Sequence, residues 1–415
     1  MRRSVAVLLG ALLAGLAATA PALADQAQSA VVSADPVDFT PHVLDGTVRA
    51  IAVVGDTVVV GGDFSRVTDS AGRTYLQRNN LFAYRLGTGQ VLDFAPALDG
   101  PVYALATGPA GTVYAGGDFR QVNGAAQRGL TRFRLDTGAA LAMPAIDWGD
   151  VRALAVAGPW LYAGGTFTRV GGVSRAGLAR LSTATGAVDQ GLDLHLAAPD
   201  FPRPRVEDLA VSPDGTRLVA IGVIEQALGQ HRAQLLVADT AANPVRLADW
   251  YTPAYDNMCR WNFDTYLRGV DFSPDGSYFV VVTSGRLAGA QRMCDTAARF
   301  NMAGAGAHNP GWVNHTGGNS LLSVAVTGPA VYVGGHQQWV DNPYGDKSAG
   351  PGAVSRPGIA ALDPVTGHAL AWNPTRSRGE GTRALVACSA GLLIGSDTDR
   401  LGHEYHGRIG MFPLG

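Results

Sequence analysis

Two stretches of this 415-residue chain gather side chains that could do chemistry. "GGHQQWVDNPYGDKSAGPG", from Gly334, presents His336, Gln337, Gln338, Trp339, Asp341, Asn342, Tyr344, Asp346 and Lys347. "SDTDRLGHEYHGR", from Ser396, presents Asp397, Asp399, Arg400, His403, Glu404 and His406. Flanking segments add Trp312, Asn314 and His315, then Arg376, Arg378 and Glu380, and "DWYTPAYDNMCRWNFDTY" adds Trp250, Tyr251, Tyr255, Arg260, Trp261 and Asp264. Trp and Tyr faces stack on the apolar faces of sugars, while Asp, Asn, Gln, Arg and His satisfy hydroxyls in a shallow concave site. That set therefore predicts binding of a carbohydrate or a cell-surface component, with His315, His336, Gln337, Trp339, Asp341, Asp397, Asp399, Arg400, His403 and Glu404 as the contact residues.

Three other readings use the same residues. Two carboxylates among Asp341, Asp397, Asp399 and Glu404 could serve as acid and base of a glycan-active hydrolase or lyase, or His336 and His403 could transfer protons. The alternate acids of "DTDRLGHE" are a ligand set that Ca²⁺ accepts, although the spacing and Gly of an EF-hand are missing. His403 and His406 with His336 or His315 could hold Zn²⁺, but "HEYH" has its His residues one position too close for the zinc-protease helix motif. The bland alternative is an Asp, Arg and His network that only locks loops together. No cofactor is expected, and no nucleotide loop, nucleophile elbow or cysteine-rich metal motif occurs.

The chain opens on "MRR", the apolar run "VAVLLGALLAGLAA" and "PALAD", whose Ala22, Leu23 and Ala24 fit the cleavage pattern of a secretory signal peptide. The expected domains are thus a signal over residues 1–24 and one body over 25–415. The apolar run is shorter than the roughly 20 residues that span a bilayer, so no membrane insertion is expected once the signal is removed. Loss of Arg2 and Arg3 moves the formal charge from -2 to -4, which is no footprint for nucleic acid. In an exported protein, Cys259 and Cys294 in polar, aromatic loops are expected to form a disulfide, whereas Cys388 in "RALVACSAGLLIG" is expected to be a buried thiol.

The elements that position these loops are legible as repeats. "VRAIAV", "VYALAT", "VRALAV", "VEDLAV", "LRGVDF", "LLSVAV" and "TRALVA" recur at a spacing of about 50 to 60 residues. Each is followed by a turn such as "SPDG" or "GPAG", then by a second β-rich run, a third, and in most copies a Thr-Gly turn and a short fourth. This pattern predicts an all-β, seven-bladed β-propeller. "VDFTPHVLDGTV" from Val37 matches "LDFAPALDGPV" from Leu92, so the N-terminal strand is expected to complete the last blade and leave no long open edge.

"VYAGGDFRQVNGAAQRGLTRFRLDTG", Val113 to Gly138, resembles the units of secreted actinobacterial β-propeller proteins of the delta-sixty repeat type. The likeness covers units one to three and six well, seven partly, and four and five poorly. It implies a fold and an exported location and no reaction, since propellers host many functions. Strands alternate in direction, so loops after second and fourth strands share one face, and the functional loops belong there. Asp63 and Asp118, with Arg78, Arg128, Arg175, Arg232, Arg356 and Arg408 before third strands, are expected to be scaffold, and Phe64, Phe119 and Phe167 to pack between blades. The resulting expectation is a secreted, extracellular monomer that binds an extracellular glycan or cell-surface ligand through units five to seven.

Overall fold

A computed structural model describes residues 27–260 and 262–415; the leader expected over 1–24, and Trp261, lie outside the described residues. The protein is all-β, a β-propeller with no helix among the described residues. Seven antiparallel sheets of three or four strands follow one another along the chain, with two- and three-stranded ladders in the connecting loops. The first sheet is Thr47–Val54, Thr57–Asp63 and Leu81–Arg85, paired in sequence order. The fifth has all four strands, Leu267–Phe272, Tyr278–Thr283, Thr296–Asn301 and Trp312–His315.

Second strands are covered on both faces by neighbouring sheets and therefore read as unbroken Val, Ile, Leu, Tyr and Gly runs; Val58, Val59 and Val60 are all fully buried. Consecutive sheets share their cores: Val59 and Ala83 of the first pack with Val113 and Phe133 of the second, and Ile51 and Val60 with Leu393 and Met411 of the seventh. The glycines of the repeated "GG" make that approach possible. A Cβ on Gly61 would stand 2.7 Å from Val102, on Gly116 2.5 Å from Val151, and on Gly164 2.5 Å from Val206. The same contact runs from Gly395 of the seventh sheet to Val48 of the first, at 2.6 Å, and Val48 N–H donates to Ser396 O at 2.9 Å. The last sheet is thus packed against the first.

The N-terminal segment lies along the last strand of the seventh sheet, Ile409–Pro413. Ser33 N–H donates to Pro413 O at 2.8 Å and Val37 N–H to Met411 O at 3.0 Å. These two bonds stop short of a ladder, because the chain turns away to pair His42–Val43 with Arg66–Thr68 in the first sheet's loop. Cys259 and Cys294 are joined, with Cα atoms 5.8 Å apart, and clamp the segment entering the fifth sheet to the loop after its second strand. Cys388 is buried in the core.

The repeated arginines tie loop backbone. Arg78 donates to Gln77 O and Leu92 O, Arg356 to Ser355 O and Leu370 O, and Arg408 to Val43 O and Gly46 O. Each guanidinium spans the entry to a third strand and the chain outside or beside it. Phe64, Phe119 and Phe167 are buried at matching places in the first three sheets.

Candidate functional site

The sixth sheet's loop is organised from within. Asn342 is fully buried; its Nδ2 donates to Ser348 O at 3.0 Å, and its Oδ1 accepts Gly350 N–H at 2.8 Å. The inserted residues are thereby folded around one amide, with Tyr344 standing 73% exposed at the outside. Asp341, at a φ of 51°, accepts from Asn314 Nδ2 at 2.6 Å, from Ala369 N–H at 3.0 Å and from His368 Nδ1 at 3.1 Å. Both carboxylate oxygens are occupied by the protein's own donors.

His336 Nδ1 lies 2.5 Å from Gly379 O, which fixes a proton on that nitrogen, and Arg378 Nε donates to His336 O at 3.0 Å. Gln337 stands where the first three sheets have Phe64, Phe119 and Phe167, and it is fully buried with neither Oε1 nor Nε2 hydrogen-bonded. Trp339 is half-buried in a two-residue ladder opposite Ser355. His315 sits on the fifth sheet's outer strand opposite Thr296, and burial pushes its imidazole below the usual range, toward the neutral form.

The seventh sheet's loop divides into an inner and an outer part. Asp397 accepts Glu380 N–H at 2.6 Å and Gly381 N–H at 3.2 Å, and stands 3.9 Å from Arg376 Nη1. Burial pushes Arg376 down to about 10 against the pull of Asp397. Asp399, Arg400, His403 and Glu404 are exposed on a hairpin that pairs Arg400–Leu401 with Glu404–Tyr405. His403 takes the turn at a φ of 70°. His406 is buried against Thr40 Oγ1 at 3.3 Å, so His403 and His406 face different surroundings. Among the described residues no three His, Cys, Asp or Glu side chains are grouped to hold a metal ion. Asp341 and Asp397 are held by separate donor sets; Trp250 and Trp372 are buried, and Trp312 donates to Pro364 O.

A second cluster lies where the first strands line the axis. Six of these strands bulge at the same place, between Val48 and Ala50, Val102 and Ala104, Val151 and Ala153, Val206 and Asp208, Leu267 and Gly269, and Leu321 and Ser323. A bulge leaves one residue outside the ladder and re-aims its side chain. The residues so released are Arg49, Tyr103, Arg152, Glu207, Arg268 and Leu322. With Arg383, just before Ala384–Cys388, they line a cavity of about 300 Å³ to which every sheet contributes one side chain. First strands start on the long-loop face, so this ring lies toward that face.

Charge around the ring is uneven. Arg152 is matched, at 2.7 Å from Glu207 and 3.3 Å from Asp150. Despite burial, these carboxylates raise the Arg152 pKa above its ordinary value. Arg383 reaches only the exposed Glu380, at 3.4 Å. Arg268 donates to Leu267 O and Thr265 O, and Arg49 lies over the Tyr103 ring at 5.6 Å; among the described residues neither guanidinium forms a salt bridge. Burial lowers the pKa of both Arg268 and Arg383, and Arg49 lowers that of Arg383 further.

Below the ring, a cavity of about 280 Å³ includes Asp208. This part-buried carboxyl accepts Leu209 N–H at 2.9 Å and Val270 N–H at 3.0 Å, yet desolvation pushes it up to about 7. The sequence carries the ring as the second letter of "VRAIAV" and its six counterparts, which as a repeat marks strands. Reading that one column by itself would have found four arginines in seven copies.

A family model described as a domain of unknown function (DUF5122) beta-propeller matches residues 160–191, the second and third strands of the third sheet. No curated protein matches the chain. Among solved structures, the crystal structure of the computationally designed Ika8 protein superposes with a TM-score of 0.49 at 13% identity, covering 94% of this chain and 100% of that one.

Proposed function

We propose that this chain is an exported, seven-bladed β-propeller that holds an extracellular ligand, a carbohydrate or a cell-surface component, on its long-loop face without transforming it. The single observation behind this reading is that the exposed aromatic tips of four loops stand on that face: Tyr75 at 72%, Trp148 at 72%, Tyr344 at 73% and Tyr405 at 50% exposed. Aromatic faces at a rim, beside polar groups, suit the alternating apolar and hydroxyl surfaces of sugars. The contact set includes Asp399, Arg400, His403 and Glu404 in the seventh loop and Asp346 and Lys347 in the sixth, all solvent-facing.

Binding is favoured over hydrolysis because an acid and base pair needs carboxylates directed at a substrate. Here Asp341 and Asp397 are directed at the protein's own N–H groups, and Asp399 and Glu404 stand exposed on one hairpin with no enclosed site around them among the described cavities. Export is supported by the leader-like start and by the disulfide, which persists in oxidising compartments. The test is to pass the purified protein over immobilised bacterial and plant glycans, scoring retention and product release together. Retention without release, reduced when Tyr344 and Tyr405 are changed to Ala, is the expected result. Release of products would establish the glycan-active alternative, and absence of retention on any glycan would overturn the reading.

A further inference from the structure

We infer that the axial mouth of the long-loop face is an anion site, built to take the carboxylate of a sugar acid. The inference rests on the ligand-binding reading only for the claim that the acid belongs to a longer glycan. The site itself rests on Arg268, Arg383 and Arg49, which come from the fifth, seventh and first sheets and flank Leu322 of the sixth. Three guanidiniums are thus gathered on one side of a cavity of about 300 Å³, and among the described residues the salt bridge to any of them is that of the exposed Glu380, 3.4 Å from Arg383, while Glu207 and Asp264 act on Arg268 from farther away.

Partly buried cations that hold backbone carbonyls or a ring face and no close counter-charge, as Arg268 and Arg49 do, are costly, and an apolar side chain of similar length would serve packing at least as well. The opposite side of the ring shows what a matched arginine looks like here: Arg152 holds two carboxylates. Among the described residues neither Arg49 nor Arg268 forms such an ion pair, and their fork-shaped donor sets suit bidentate capture of a planar carboxylate. The bulge at each first strand keeps these side chains out of the ladder and directed to the axis, a placement that strand alternation alone would not give.

The matched side narrows the ligand. Glu207, held by Arg152 at 2.7 Å and Arg205 at 2.5 Å, puts negative charge on the fourth sheet, next to Arg268 of the fifth and across the ring from Arg383 and Arg49. A second anionic group on the ligand would be repelled there, whereas sugar hydroxyls could donate to Glu207. A single carboxylate on a hydroxylated ring satisfies both sides, and the volume falls at the lower end of ordinary small-ligand sites. The terminal residue of an acidic polysaccharide and a free sugar acid share this chemistry.

Isothermal titration at low salt with glucuronate, glucose, sulfate and phosphate tests the site on the intact protein. Glucuronate should bind saturably, weaken as salt is raised, and lose at least tenfold in affinity in Arg49→Met/Arg268→Met, while glucose should not bind. Arg49→Lys/Arg268→Lys, which keeps the charges and loses the forks, guards against a variant that fails to fold and should show an intermediate loss. Tighter binding of an oligosaccharide ending in glucuronate than of the free acid would assign the polysaccharide source, and equal binding the free acid. Saturable binding of sulfate or phosphate alone would overturn the sugar-acid assignment. Glucuronate binding unchanged in both double variants, or no binding of any anion, would overturn the site. Glycan retention that survives in the Arg49→Met/Arg268→Met protein would leave the proposed function standing while this inference fell.

Discussion

The sixth sheet's inserted loop and the axial ring solve the placement of polar side chains in opposite ways. In the loop, Asp341 and Asn342 use their hydrogen-bonding capacity on neighbouring backbone and side chains, so a polar sequence becomes a rigid, internally satisfied hook. In the ring, charged residues occupy one repeated strand position, and among the described residues two of the arginines form no salt bridge. Polar novelty in a loop is therefore a poor guide to ligand contact, because loop backbone consumes it first. In the ring Arg268 also spends donors on backbone, Leu267 O and Thr265 O, but among the described residues no carboxylate forms a salt bridge with it or with Arg49.

The sharpest way to break this comparison is Asp397→Ala. Removing it leaves Arg376, whose side chain is 1% exposed, without the carboxylate that offsets its charge. A loss of about 3 kcal/mol in urea unfolding is expected, as for a broken buried pair. A change near zero would mean that Asp397 is available for ligand after all.

Asp341→Ala should cost less, about 2 kcal/mol, by leaving the part-buried donors Asn314 and Ala369 unsatisfied, with glycan retention preserved in the folded fraction. Loss of retention with no loss of stability would move Asp341 from scaffold to contact residue.

Two sites, the buried His42 and His406 and the part-buried Asp208, should give smaller, opposite pH slopes. At the closure, His42 Nδ1 accepts Gly407 N–H at 3.2 Å, and its Nε2 faces Ser70 O at 3.1 Å. Burial chiefly, with nearby His406, lowers its pKa, and burial lowers that of His406 as well, against the pull of Glu404. Stability from these neutral imidazoles should be complete above about pH 6.5 and decline below it. Asp208, raised to about 7, works the other way: stability declines as pH rises from about 4 toward 7. Urea midpoints measured across that range should lose the acid-side decline in His42→Gln and lose the opposing slope in Asp208→Asn. If neither variant changes the profile, these groups titrate normally in the folded state.

The smallest effect is expected from Asp399→Ala and Glu404→Ala, whose side chains are exposed and hold no loop backbone. No measurable change in melting temperature is expected, and a clear fall would show that the hairpin is tied down through them.

Much of the fold was legible because each repeat carries the same instruction. Alternating turns and β-branched runs specify the strands, and the "GG" pairs mark where one sheet must approach the next. The Cys259–Cys294 pairing was legible from compartment and loop context. The candidate site was legible only as a region. Sequence could name His336, Asp341 and Asp397 as unusual, but not that Gly379, Ala369 and Glu380, each distant along the chain, would already occupy them.

By itself, then, the sequence determined the all-β repeat and the strands that recur in each copy, since these depend on local pattern and period. Tertiary structure alone decided which polar groups remain available. That choice depends on contacts between sheets: whether a carboxylate finds an N–H across a loop, as Asp397 does, or a guanidinium is left without a salt bridge beside the axis, as Arg268 is among the described residues.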